Sequence, residues 1–292
     1  MKRTLAALLL TLLAQVATAQ PMSYSLFTLP GAELTIARDF TPGGQTVGYT
    51  MNANIRFQGF IRSADGSSRT IAVEGARDTL VYAASKGRVM GQVQFNYSDS
   101  GTRGFVMDAD GRVSTFLAPD GIRPAVYGLN SAGTAVGSYQ PDSGAELSGF
   151  VLKDGVFTPY LVPGSDDTEL TAITDSGILV GNYRMPMTSQ QGMPFIGFLD
   201  RKGKRTQVRF PGAFDTLVTD VNKAGVVVGY YNLPGIVGFK GFTFDGSTYT
   251  TVAPEGATNC YAWHINDKGE VVGFCYFADG SQASYVATPV TP

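Results

Sequence analysis

His264 is the only histidine among 292 residues. Chemistry that needs a proton carrier titrating near neutral pH therefore has one place to begin. Its setting is a phrase that the chain repeats: "FTPGGQTVGYT", "ASKGRVMGQV", "NSAGTAVGSY", "TDSGILVGNY", "NKAGVVVGYY" and "INDKGEVVGFC". Five residues before the first hairpin glycine of each copy stand Asp39, Tyr82, Gly128, Ala172, Asp220 and His264. If these positions face a common axis, with the last copy beside the first, His264 lies between Asp220 and Asp39, and Tyr82 lies beyond Asp39. Two carboxylates beside an imidazole favour its protonated form. Such a cluster could coordinate a divalent cation, act as acid and base, or hold a polar ligand. The plainer outcome is that these groups satisfy one another and water at the mouth of a channel. No cofactor is expected, and no metal ligand set stands out beyond a divalent cation that the channel cluster could take.

Other catalytic signatures are missing from the sequence. One histidine excludes the two-histidine zinc helix. No G-x-S-x-G elbow and no glycine loop ending in Lys-Ser/Thr are present. "DADG", residues 108–111, is a fragment of a calcium-loop pattern, but it falls where every repeat has a turn, and the turn is the simpler reading.

The elements that must position the cluster follow from the repeat. The second glycine of each phrase (Gly48, Gly91, Gly137, Gly181, Gly229 and Gly273) recurs every 43–48 residues. A Gly-Phe pair follows in five copies: Gly59-Phe60, Gly104-Phe105, Gly149-Phe150, Gly197-Phe198 and Gly241-Phe242. The sixth copy is degenerate, with Ser284-Tyr285. A turn, a further strand and a Pro/Gly corner such as "LPGA", "VPGS" or "FPGA" complete each unit. In the fifth unit this predicts strands at about 217–221, 226–231, 240–244 and 248–252. Short Val/Ile/Tyr/Phe/Thr runs between Gly, Pro, Asn and Asp mark an all-β protein.

Four-stranded units at this period are the signature of propeller blades. The expectation is one domain over residues 20–292, a six-bladed β-propeller of four-stranded blades. Its units cover about 31–75, 76–120, 121–164, 165–212, 213–255 and 256–292 plus 23–30. The last unit ends after its third strand, so the N-terminal strand "YSLFTLP" would complete the sixth blade and close the ring. A seven-bladed or open form would need residues that this chain lacks, and the coils of a β-helix repeat at shorter intervals.

The segment "TFDGSTYTTVAPEGATNCYAWHINDKGEVVGFCYF" resembles the HAF-repeat family of predicted extracellular bacterial proteins. That family reads roughly F-x-x-I-D-x-P-G-A, then G-I-N-x-x-G-x-I-V-G-x-Y, then H-G-F. The resemblance covers essentially the whole chain after the leader and implies a repeat fold and export from a bacterial cell, with no established activity. The family's histidine before Gly-Phe is missing: Gln58, Arg103, Ser148, Ile196, Lys240 and Ala283 stand there. No role of that histidine carries over.

The N-terminus, "MKRTLAALLLTLLAQVATAQ", has a basic start, an apolar stretch and an A-x-A site at 17–19. It reads as a signal peptide over residues 1–19. The expected location is the periplasm or the outside of the cell. No later apolar run is long enough for a membrane span. The net charge of −2 argues against nucleic acid, which attracts clustered Lys and Arg. Cys260 and Cys275 lie symmetrically about the Asp267-Lys268 turn. In an exported protein they read as a disulfide; a metal thiolate pair is the weaker alternative.

A second candidate surface is a rim of loops, "YRMPMTSQQGMPFIG" and "YNLPGIVGFKG". Met185, Met187, Met193, Leu233 and Ile236 are apolar residues in predicted loops, and flexible methionines suit adaptable contacts. The plainer reading folds these loops back over their own blades. Trp263 reads as core packing, with a sugar platform as the alternative. The favoured function is a secreted, monomeric, non-catalytic module that binds an extracellular or periplasmic protein, peptide or surface glycan. The alternatives are a cation-dependent hydrolase or lactonase-like enzyme at the channel mouth, and a structural envelope component.

Overall fold

The structure is a computed structural model that describes residues 21–98, 101–119, 121–141, 147–186 and 193–290. The expected signal peptide lies outside the described residues. Within them are 24 strands and no helix long and apolar enough to cross a membrane. β1 (Met22–Phe27) comes first. The first set is β2 (Leu34–Phe40), β3 (Thr46–Met51), β4 (Phe57–Arg62) and β5 (Ser68–Ile71). The second is β6 (Asp78–Ser85), β7 (Arg88–Gln94), β8 (Thr102–Met107) and β9 (Val113–Phe116). The third is β10 (Gly121–Leu129), β11 (Ala135–Pro141), β12 (Ser148–Lys153) and β13 (Val156–Tyr160). The fourth is β14 (Asp167–Ile173), β15 (Leu179–Arg184), β16 (Phe195–Arg201) and β17 (Lys204–Val208). The fifth is β18 (Thr216–Val221), β19 (Val227–Tyr231), β20 (Lys240–Phe244) and β21 (Tyr249–Val252). Last come β22 (Ala257–Ile265), β23 (Val271–Phe277) and β24 (Gln282–Pro289).

Within each set, consecutive strands pair antiparallel. The last three strands take β1 as their fourth member, in register from Met22↔Pro289 to Phe27↔Ser284. The hydrogen-bonded sheets are four of four strands and one of eight. The sequence predicts separate blades, but the fourth and fifth sets share a sheet through a single parallel bridge, Ile196↔Thr216.

The repeated glycine has a steric cause. Every first strand carries a β-bulge opposite its partner strand: at Arg38, Tyr82, Tyr127, Thr171, Thr219 and Trp263. The bulge drives a carbonyl of the first strand toward the second. A Cβ on Gly48 would meet the Ile36 oxygen at 2.0 Å, and one on Gly229 the Leu217 oxygen at 1.9 Å. Only glycine fits.

The Gly-Phe pair joins one set to the next. Phe60, Phe105, Phe150, Phe198 and Phe242 are buried, and so is Tyr285 in the sixth copy. The preceding glycine lets the following set approach: a Cβ on Gly59 would meet Val81 Cγ2 at 2.5 Å, and one on Gly197 would meet Val218 Cγ2 at 2.4 Å. Ser284 departs from the pattern and faces the small Ala37, as Gly241 faces Ala262. Its Oγ accepts from Ala37 N at 2.8 Å and donates to Thr35 O at 2.8 Å. The degenerate copy thus ties the last set to the first. Phe27, Ala37, Phe40, Phe60 and Val272 share one core cluster across the same junction.

The corners carry a further repeat, a threonine six residues after the corner's first residue. Thr35, Thr79, Thr168 and Thr216 accept hydrogen bonds from the amides of Leu29, Val73, Val162 and Phe210 at 3.0–3.1 Å. Thr79→Val keeps the shape and strands the Val73 N–H. It is expected to cost about 1–3 kcal/mol in denaturant unfolding, whereas an exposed threonine such as Thr70 should tolerate valine.

Cys260 and Cys275 form a disulfide and stand directly opposite each other across β22 and β23. The bond staples the set completed by the two chain ends.

Candidate functional site

Two rings of side chains from the first strands line one cavity of about 290 Å³. The bulged residues form one ring: Arg38, Tyr82, Tyr127, Thr171, Thr219 and Trp263. Their successors form the other: Asp39, Ala83, Gly128, Ala172, Asp220 and His264. An ordinary strand alternates its faces, but a bulge turns two consecutive residues to the same side. This gives each set two channel positions.

The structure brings Asp39, Asp220 and His264 together. His264 Nε2 lies 2.9 Å from Asp39 Oδ1, and His264 Nδ1 lies 2.8 Å from Asp220 Oδ2. The imidazole is sandwiched between sets, with an edge contact to the Phe40 ring. Burial alone would lower its pKa. The charges and hydrogen bonds of Asp220 and Asp39 outweigh that and hold it well above the ordinary histidine value. The carboxylates also serve the backbone. Asp39 Oδ2 accepts from Ala84 N at 2.7 Å, its Oδ1 from Phe40 N, and Asp220 Oδ2 from Ile265 N at 3.0 Å. Three of the four carboxylate oxygens are thus engaged in joining one set to the next. The cluster acts as a clasp across the fifth, last, first and second sets.

Tyr82 requires a correction. Counting back from the hairpin glycine puts it level with Asp39, yet Ala83 occupies that level. The β6–β7 connection is a two-residue turn, Lys86-Gly87, with both φ values positive. From the level of Asp39 and Ala83 to the facing residue of the second strand, this hairpin is one residue shorter (Ala83↔Met90 against Asp39↔Val47), so the count slips by one. Tyr82 still lines the cavity, one layer away, packed against Tyr127 and Tyr49.

Sequence reasoning missed the rest of the cavity. Arg38 lays its guanidinium 3.8 Å from the centre of the Trp263 ring and 5.1 Å from that of Tyr82. Trp263 also contacts Tyr230 and stacks on Tyr261. It is both packing and channel lining. Arg38 Nε and Trp263 Nε1 are buried donors without an acceptor among the described residues. Glu169 lines the same cavity. Burial and the Asp167 charge push its carboxyl up to about 7, with Arg38 and Arg184 partly opposing. Its counterparts in register are Ile36, Leu80, Ala125, Leu217 and Tyr261. A lone acid in that series was the available signal.

The rim candidates divide. Met185, Leu233 and Ile236 are exposed, at 43%, 38% and 59%, and Val237 beside them reaches 96%. Met193 is half-buried, and Met187 lies outside the described residues. Phe214 adds an exposed ring, held near this loop by its amide bond to Asn232 O at 3.0 Å. The loop after β19 is anchored rather than folded over its own set: Phe239 N donates to Asn259 Oδ1, and Cys260 N to Phe239 O, both at 2.8 Å. In the DADG turn, Asp108 pairs with Arg88 at 2.9 Å, and the segment is an ordinary strand connection.

Searches for relatives bear on the fold. No family model matches the chain, and no curated protein does. Among solved structures, AofleA from Arthrobotrys oligospora matches with a TM-score of 0.57 at 12% identity, over 93% of this chain and 91% of that one. The β-propeller domain of the Trilobed protease from Pyrococcus furiosus matches with a TM-score of 0.53 at 13% identity, over 88% and 86%. A mutant of Aleuria aurantia lectin, solved with α-methyl-L-fucoside, matches with a TM-score of 0.51 at 14% identity, over 92% and 99%. At these identities the likeness concerns architecture alone: the chain is all-β with a β-propeller fold.

Proposed function

We infer that the protein is an exported, non-catalytic binding module. In this reading it is a closed six-bladed propeller of the HAF-repeat type that acts as a monomer in the periplasm or outside the cell. The leader-like N-terminus, the disulfide and the six repeats support export and this architecture. The β1–β24 pairing and the His264–Asp39 contact across the chain ends support closure.

One observation carries the binding role. The loop after β19 presents Leu233, Ile236 and Val237 to solvent while its far end is fastened to β22. Exposed apolar side chains on an anchored loop suit a contact surface. Their chemistry favours a protein or peptide over a surface glycan, although one of the propeller neighbours is a lectin. The enzyme alternative is weakened by the channel cluster itself, since most of its carboxylate oxygens already accept from His264 and backbone amides.

The test is an I236D/V237D double variant. It should melt like the parent, because neither side chain is buried. It should also lose the partner that the immobilised parent retains from the culture medium and periplasmic extract. Retention of the same partner by both proteins would remove the rim from consideration.

A further inference from the structure

We propose that the central cavity binds a small hydroxylated carboxylate, of the size and chemistry of a sugar acid. The Arg38 guanidinium would take the carboxylate, and the Trp263 N–H would donate beside it. This site is separate from the apolar rim and does not depend on that reading.

Unmet donors are the first support. Arg38 Nε and Trp263 Nε1 are buried and have no acceptor among the described residues. Buried donors are paired in the great majority of cases, and an unpaired one is costly. Arginine has donors only, and so does the indole N–H. Both side chains therefore call for an acceptor. A carboxylate matches the guanidinium edge in shape and charge, while the guanidinium face stays stacked on Trp263. A helper this close to an aromatic face is pre-positioned, so little side-chain entropy is lost on binding.

The second support is the wall. Tyr49, Tyr82 and Tyr230 line the cavity, and none of their hydroxyls makes a hydrogen bond to another described residue. They offer rings for the faces of a small ligand and hydroxyls for its polar edge. Glu169 adds a carboxyl that can exchange hydrogen bonds with ligand hydroxyls. The clasp of Asp39, Asp220 and His264 lies on the same lining, but both imidazole nitrogens and three of the four carboxylate oxygens are already engaged. The recognition groups are therefore Arg38, Trp263 and Glu169. At about 290 Å³, the space lies at the small end of ligand cavities, roughly 300–1,000 Å³. That suits one ring rather than a chain of them.

The test is isothermal titration of the purified full chain with D-galacturonate and with D-galactose, which share a ring and differ in the carboxylate. Galacturonate should bind and galactose should bind at least about tenfold more weakly. Arg38→Gln should weaken galacturonate by about 10- to 100-fold, the range for a lost bond to a charged group, and leave galactose unchanged. Trp263→Phe keeps an aromatic ring for Arg38 but removes the indole N–H together with its five-membered ring. It should weaken galacturonate severalfold while leaving galactose, which feels the same change of ring, nearly unchanged, and it serves if Arg38→Gln fails to fold. Equal affinity for the two sugars, no heat from either at millimolar concentration, or wild-type affinity in both variants would overturn the proposal.

Discussion

Replacing His264 with alanine should lower stability by about 3–5 kcal/mol, the cost of removing one member of a buried ion pair. Asp39 and Asp220 are 4% and 6% exposed. With the imidazolium gone, both keep their backbone amide donors but lose the cation that contacts both of them. In a chain of this size the loss corresponds to a fall in melting temperature of order 10 °C.

The pH dependence identifies the cause. The folded pKa of His264 is raised above its unfolded value of about 6.5. Its contribution is therefore fully present below pH 6.5 and is lost as pH rises through the folded value. Glu169 acts in the same direction, from its ordinary 4.5 to about 7. Glu169 has released its proton by about pH 8, so the decline that continues beyond that belongs to His264. Denaturant unfolding from pH 6 to pH 9 should show a falling stability in the parent. In His264→Ala the curve should start lower and be flatter above about pH 8. Parallel curves would mean that the imidazole is neutral and the clasp is only packing.

Removing β1 should have the other large effect. A chain beginning at Thr28 lacks the strand that pairs with β24 from Met22↔Pro289 to Phe27↔Ser284. It also loses the Tyr24 hydroxyl that accepts from Ala253 N at 3.0 Å, the Tyr24–Tyr285 ring contact and the buried Phe27. β24 is left with a bare edge, a template for pairing with other chains. The truncated protein should associate and lose its sharp melt. A peptide covering residues 21–29, added in excess, should restore a monomer by filling the edge. A truncated chain that melted within about 2 °C of the parent and stayed monomeric would show that β1 contributes nothing essential.

The strands were legible in the sequence because the repeat writes them out. In the fifth set, the expected 217–221 and 240–244 are found as Thr216–Val221 and Lys240–Phe244. The pairing of the N-terminal strand with the last one followed from counting strands in the final unit. The cysteine pair and the placement of His264 between two aspartates followed from alignment alone. Three features were hidden for physical reasons. Tyr82 was misplaced because a two-residue turn shortens one hairpin, and turn length sets register. Arg38 and Trp263 were invisible as channel residues because alternation gives one inward position where a bulge gives two. Ser284 read as decay of a motif, when its hydroxyl makes the junction that glycine cannot make beside Ala37.

The central claim is that the channel cluster holds the fold together and leaves function to binding surfaces. A thermal melt of the oxidised protein, first with chelator and then with calcium, magnesium, manganese or zinc, tests it most directly. A cation bound only to the folded state, at 1,000 times its Kd, adds about 4 kcal/mol, a shift of several degrees. The account predicts an unchanged midpoint with every ion, because His264 and backbone amides already occupy the oxygens that a cation would need. A rise with one ion that disappears in Asp39→Asn would contradict it and make the cluster a cation site, with the channel-mouth hydrolase as the reading to pursue.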